Sequence, residues 1–133
     1  MKGIRKSKKG FTLMEMLIVV AIIAVLIAIA IPTMAASLHK ARVAADLANA
    51  RAYFAYLQTD YLTTGEYLPE IDTEWAKNTT DTIKYPDGFE VKLQTGRIAV
   101  CRLDETNSNN AYGYQVYYLS NDGKTTQLFG GAG

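Results

Sequence analysis

The stretch FTLMEMLIVVAIIAVLIAIAIP, residues 11–32, decides how the rest of this 133-residue chain is read. Up to Ile31 its only polar side chains are Thr12 and Glu15. As a helix rising about 1.5 Å per residue, residues 11–31 reach roughly 31 Å, the thickness of a bilayer's hydrocarbon core. A secretory signal has a shorter apolar run closed by small residues at a cleavage site, whereas this run continues through Pro32 into a second helical pattern. Glu15 is the informative exception. An ionisable group inside a spanning segment costs on the order of 3 kcal/mol on insertion scales and is normally paired and functional.

On the N-terminal side, MKGIRKSKKG holds Lys2, Arg5, Lys6, Lys8 and Lys9 and no acid. Without these five, nine of the 14 basic residues face 13 acids, so the formal charge of +1 conceals a remainder of −4. A basic tip before an apolar run keeps the tip in the cytoplasm and sends the downstream chain across the membrane. The acidic remainder has no Lys/Arg cluster, so no specific nucleic-acid partner is expected. The single cysteine, Cys101, excludes an intrachain disulfide, and with one histidine beside it no zinc cluster can be spaced. No cofactor or metal is expected.

The run KKGFTLMEMLIVVAIIAVLIAIAIP, residues 8–32, resembles the N-terminal segment of type IV pilins and of the related pseudopilins of type II secretion and DNA-uptake systems. The likeness rests on the basic leader ending in Gly10, on Phe11, Thr12 and Leu13, on Glu15 as the fifth residue after the glycine, on the apolar run, and on Pro32. It implies that a prepilin peptidase cuts between Gly10 and Phe11 and N-methylates Phe11, and that Phe11 and Glu15 serve assembly. The implied partners are copies of the chain in a helical homopolymer, the peptidase, a membrane assembly platform and minor pilins. The implied locations are the cytoplasmic membrane for the single-pass precursor and the cell surface or extracellular space for the filament. Physical chemistry agrees with this picture. Cleavage would place a positive amine at Phe11 four residues from Glu15, both at membrane depth, where each charge needs a partner. That partner is either the chain's own Glu15 or the Glu15 of a neighbouring subunit.

Pro32 has no amide hydrogen and its ring opposes the carbonyl of Ala28, which predicts a kink in a helix that continues beyond it. Val43, Leu47, Ala50, Phe54, Leu57 and Tyr61 recur at three- and four-residue intervals as an apolar stripe, with Arg42 and Asp46 spaced i,i+4 outside it. Ala41, Ala44, Ala45, Ala48, Ala52 and Ala55 form a second, small-residue surface, read either as a contact between subunits or as plain helix propensity. Gly65, with Pro69 beyond, marks the end of a helix running from about Phe11 to Thr64. Residues 65–85 read as an irregular loop region with one short helical turn, holding Trp75.

After Pro86, Asp87 and Gly88 the pattern alternates, with Phe89, Val91 and Leu93 against Glu90, Lys92 and Gln94. A two-residue loop at Thr95 and Gly96 then predicts a hairpin with Arg97 to Leu103, placing Leu93 opposite Ile98, Val91 opposite Val100, and Cys101 opposite Glu90 on the more polar face. On that register Cys101 is buried only if a loop covers it or a bulge intervenes. Strands at Tyr112 to Leu119 and Thr125 to Phe129 come next, joined by a turn at Asp122 and Gly123. The fold class expected is α+β, a long N-terminal helix packed by its second half against an antiparallel sheet of about four strands. The domains are a leader at 1–10, a membrane-spanning or filament-core helix at 11–34, and a globular head at 35–133.

No enzyme is expected. The one nucleophile pair available, Cys101 and His39, falls on a strand and on the helix with no third residue to orient it. Asp104, Glu105, Asn107, Asn109 and Asn110 offer oxygen ligands of the kind some major pseudopilins use for calcium, but as an EF-hand loop they lack the turn glycine and the final glutamate. A solvated polar loop is the expectation there. The function expected is a filament subunit, open between a major pilin for adhesion or motility, a secretion pseudopilin and a DNA-uptake pilin. A monomeric single-pass anchor displaying a binding domain is the more distant alternative, and Glu15 separates the two, because an anchor has no use for it.

Overall fold

A computed structural model describes residues 12–106 and 111–131. Helix α1 spans Leu13–Thr64, 52 residues with Pro32 inside it. It ends at Gly65, whose φ of +74° suits a residue without Cβ and whose amide donates to the Tyr61 carbonyl at 2.8 Å. A 3₁₀ turn at Trp75–Asn78 precedes six strands, β1 (Thr79–Thr80), β2 (Thr82–Lys84), β3 (Glu90–Lys92), β4 (Gly96–Leu103), β5 (Gly113–Ser120) and β6 (Thr126–Phe129). They form a four-stranded antiparallel sheet in the order β1-β4-β5-β6 and a separate β2-β3 ribbon. The class is α+β, as the sequence indicates. The chain divides into two units, Met1–Leu38 and His39–Gly133.

The core lies entirely in the second unit. Ala50, Tyr53 and Leu57 of α1 are buried against Ile98, Val100, Tyr114, Val116 and Tyr118 of the sheet. The register sets Ile98 opposite Tyr118 and Val100 opposite Val116, so one sheet face is apolar and meets the helix. Val43, Leu47, Phe54 and Tyr61 pack beside this line while remaining partly open. The innermost helix positions are therefore 46, 50, 53 and 57, a stripe turned slightly from the expected one.

Asp46 occupies the first of those positions, not the outer face expected from its spacing with Arg42. It is 1% exposed. Its carboxylate accepts the Gln94 amide at 2.9 Å, the Thr95 amide at 2.7 Å and the Thr95 hydroxyl at 2.6 Å. Tyr118 Oη completes the cluster, 2.9 Å from Thr95 Oγ1. A buried carboxylate is tolerable only when its lone pairs are filled in this way.

This clamp explains where the expected hairpin fails. Thr95 and Gly96 do not turn β3 back on β4. Two successive amides at 94 and 95 point at Asp46, and the chain passes from the ribbon to the sheet. Strand β3 pairs with β2 instead, Val91 opposite Ile83 and Glu90 opposite Lys84. Their loop is Pro86-Asp87-Gly88, with the Tyr85 amide donating to Phe89 O at 2.9 Å and the Phe89 amide to Asp87 Oδ1 at 2.9 Å. The place beside β4 goes to β1, Thr79 opposite Ala99, and to Asp72, whose carbonyl accepts the Arg102 amide at 3.2 Å. Cys101 accordingly lies opposite Gln115, not Glu90, and is buried at 3% exposure. Gly96 is required by close approach, since a Cβ there would stand 2.5 Å from the Leu119 carbonyl oxygen. The later strands and the Asp122-Gly123 turn lie where the sequence places them.

Because the whole core falls after Leu38, a chain starting at Ala35 is expected to fold alone, with a helix-plus-strand circular dichroism spectrum. In that background Asp46→Ala strands the buried Thr95 amide and hydroxyl and the part-buried Gln94 amide and is expected to cost about 3 kcal/mol, seen as a lower urea midpoint. A loss under about 1 kcal/mol would show that the clamp is dispensable.

The β5–β6 turn carries a second carboxylate. The Ser120 hydroxyl, then the Lys124 amide and His39, hold Asp122 down to about 2. A carboxyl lowered in the folded state adds stability above its unfolded value of about 3.9, and that stability is lost as pH falls through the folded value. The turn is expected to stay ordered at pH 4 and to loosen toward pH 2 on amide NMR, and Asp122→Asn should abolish that dependence.

Candidate functional site

The exposed surface of α1 begins with a cap. Thr12 precedes the helix, and its hydroxyl accepts the Glu15 amide at 3.3 Å while its carbonyl accepts the Met16 amide at 3.2 Å. The order Thr-Leu-Met-Glu is the capping-box pattern, a Ser/Thr cap followed three residues on by Glu. Glu15 also places its negative charge in the first turn, where the helix dipole favours it. This local role is legible in the sequence, although the reading of Glu15 as a membrane charge makes no use of it.

From Thr12 to Lys40 every residue is exposed. Leu17, Ile18, Val20, Leu26, Ile29 and Ile31 each expose more than half of their surface. Covering each such side chain is worth about 1.5–3 kcal/mol, so a run of them requires lipid or other helices around it. The segment is long and apolar enough to cross a membrane, and none of its most apolar window is buried among the described residues. Between Thr12 and Leu38 Glu15 is the only ionisable group. Pro32 removes one amide from the helix ladder, and next to it the Thr33 hydroxyl donates to the carbonyls of Ile29 at 3.2 Å and Ala30 at 2.9 Å.

The family model of the prokaryotic N-terminal methylation motif matches residues 5–31. This chain carries a prepilin-type N-terminus. The motif and the apolar helix behind it support a type IV pilin-like or pseudopilin precursor anchored in the membrane. The motif implies processing by a prepilin peptidase and assembly into pilus-like filaments, and its family is structural and not enzymatic. No curated protein and no solved structure matches the chain.

Among the predicted site residues, Glu15 and Pro32 lie on α1 within the motif or directly after it, and Gly10 and Phe11 fall outside the described residues. The small-residue surface is exposed, and Ala44, Ala48, Ala52 and Ala55 line a shallow apolar hollow with Leu47 and Arg51. Cys101 and His39 engage different partners. His39 Nε2 lies 3.3 Å from Asp122 Oδ2, and Cys101 Sγ lies 3.9 Å from Gln115 Oε1. In the polar loop, Asp104 accepts the amide of Thr106 at 3.0 Å, while Asn107, Asn109 and Asn110 fall outside the described residues.

Burial pushes the Cys101 thiol up to about 11, so almost none of it is thiolate at neutral pH. It is expected to resist a disulfide-exchange reagent at pH 8 in the folded protein and to react at once in denaturant. Rapid native labelling, or a disulfide-linked dimer on a non-reducing gel, would contradict that environment.

Proposed function

We propose that this chain is a structural subunit of a type IV pilus-like filament. It is inserted in the cytoplasmic membrane as a prepilin, cleaved between Gly10 and Phe11, N-methylated at Phe11 and polymerised through its N-terminal helix. The observation that carries the reading is the coincidence of the methylation motif with a fully exposed apolar stretch of α1, residues 12–38, holding one charge, Glu15, in its capped first turn. An apolar surface of this length is satisfied first by lipid and then by identical helices, and exchange between the two costs little because both are equally apolar.

In this reading residues 1–10 are the leader, 11–34 the filament core and 35–133 the head, and Pro32 loosens the helix near the boundary of core and head. Glu15 is the group that makes the exchange specific. A charge left alone in a dry bundle is penalised by several kcal/mol, whereas the carboxylate of one subunit and the Phe11 amine of another satisfy each other. The pair also sets the axial register of neighbouring subunits, since only one stagger brings the two charges together.

Mature protein from cells is expected to begin at Phe11 with a methylated amine on intact-mass analysis; a retained leader would overturn the processing. Glu15→Ala should leave the membrane-fraction quantity equal or higher while sheared filament yield falls at least about tenfold, as a lost charge pair of this kind predicts. Normal filament yield from that variant would instead favour a single-pass anchor bearing a binding domain.

A further inference from the structure

The charges of the second unit are sorted along α1. At one end β4 begins and β5 finishes, Gly96 opposite Ser120, and Asp46 and His39 of α1 reach Thr95 and Asp122. At the other end Leu103 lies opposite Gly113, and Gln58 Oε1 and the Tyr67 hydroxyl accept the amides of Tyr114 and Gly113. The first end carries Lys40, Arg42, Lys92, Arg97 and Lys124 against Asp81 and Asp122, a formal +3 with His39 neutral. The second carries Asp60, Glu66, Glu70, Asp104 and Glu105 against Arg102, a formal −4. Between the two ends Lys77 is paired with Asp72 and Glu74, and Lys84 with Glu90. By contrast, the five cations of the first end and Asp60, Glu66, Glu70 and Glu105 of the second make no ion pair among the described residues.

Folding of one chain does not account for this sorting. The C-terminus of a helix is the negative end of its dipole and favours cations, yet the last turn of α1 holds no basic residue and Asp60 and Glu66 flank it. Like charges gathered at either end also repel one another. Each end is, however, the complement of the other. An apolar contact is available at the same joint: Leu62, 74% exposed, stands between Asp60 and Glu66, and Ala44, Leu47 and Ala48 line the hollow that follows Arg42 on α1. A stagger of about 18 residues, roughly five turns or 27 Å, brings Asp60 of one copy level with Arg42 of the next and Leu62 level with Ala44.

We infer that the second units of neighbouring copies join head to tail, the Lys40 and Arg42 end of one against the Asp60 and Glu66 end of the next. Two different patches of the same chain make a heterologous contact, which propagates as an open helix when its rotation does not close into a ring. Opposed charges also fix polarity, because a copy turned end for end would set like charges together. The inference rests on the filament reading and adds to it a second joint, located in residues 39–133 and separate from Glu15. An anionic lipid surface is the poorer occupant. It would meet the basic end alone and leave the acidic end and Leu62 without a counterpart.

The test measures sheared filament quantity beside membrane-fraction quantity in cells making the full chain. Lys40→Glu with Arg42→Glu sets acid against acid and is expected to lower filament yield at least about tenfold, with membrane quantity unchanged because fewer cations have to cross. Asp60→Lys with Glu66→Lys is expected to do the same from the other side. All four substitutions together exchange the two ends, and yield is expected to return to within about threefold of the parent. Lys40, Arg42 and Glu66 are exposed, and a cation at residue 60 agrees with the helix dipole, so urea midpoints in detergent micelles should not fall. Parent yield from either double variant, or a fourfold variant no better than the doubles, would overturn the joint and leave the filament reading standing. A loss of membrane quantity in Lys40→Glu with Arg42→Glu that the fourfold variant does not restore would overturn it in favour of lipid. A parent chain without filaments would strike the filament reading and this joint with it.

Discussion

The second unit of this protein depends on a carboxylate placed where an apolar side chain would normally sit. Asp46 lies one helical turn before Ala50 on the innermost line of α1, and it collects both amides and the hydroxyl of the Gln94–Thr95 segment. That segment is the passage from the β2-β3 ribbon to the four-stranded sheet. Without an internal acceptor the Thr95 amide would be buried unpaired, at a cost comparable to a lost hydrogen bond, and the Gln94 amide would be left partly so. The clamp ties the helix to the sheet by direction as well as by contact, because hydrogen bonds specify geometry that apolar packing leaves loose. Tyr118, reaching the same cluster from β5, brings a third element into register.

Aromatic rings complete the union at the other end of the helix. Tyr61 stacks on Tyr67 with centroids 4.5 Å apart, and Tyr114 meets both edge-on. The Tyr114 hydroxyl accepts the Leu68 amide at 2.7 Å, and Gln58 Oε1 accepts the Tyr114 amide at 3.1 Å. Tyrosine suits these positions because its ring fills a core while its hydroxyl satisfies a loop amide. Such loops otherwise have no regular partner for their backbone groups.

One helix thus serves two solvents. Its second half spends its apolar surface on the sheet, and its first half is exposed among the described residues, so that surface is available to lipid and to other copies. The methylation motif gives this physical asymmetry a biological direction, and in the proposed filament Glu15 supplies the polar demand that lipid cannot meet.

Much of this is legible along the chain, because the signals are local. The apolar run with the basic residues before it, the Gly65 stop, and the Asp122-Gly123 turn each depend on residues adjacent in sequence. The methylation motif is likewise a contiguous pattern. The Thr12–Glu15 cap and the Pro86-Asp87-Gly88 loop are equally local, but the same residues also support other readings that compete with them. What tertiary structure alone decided was partnership at a distance. Alternation in residues 89–94 shows that they form a strand and leaves open whether the neighbour is β4 or a segment that reads as loop. Asp46 at i+4 from Arg42 looks like half of a surface pair until Gln94 and Thr95, 48 and 49 residues on, present their amides to it. Backbone hydrogen-bond demand is the same for every residue, and a linear pattern carries no record of which distant group will meet it.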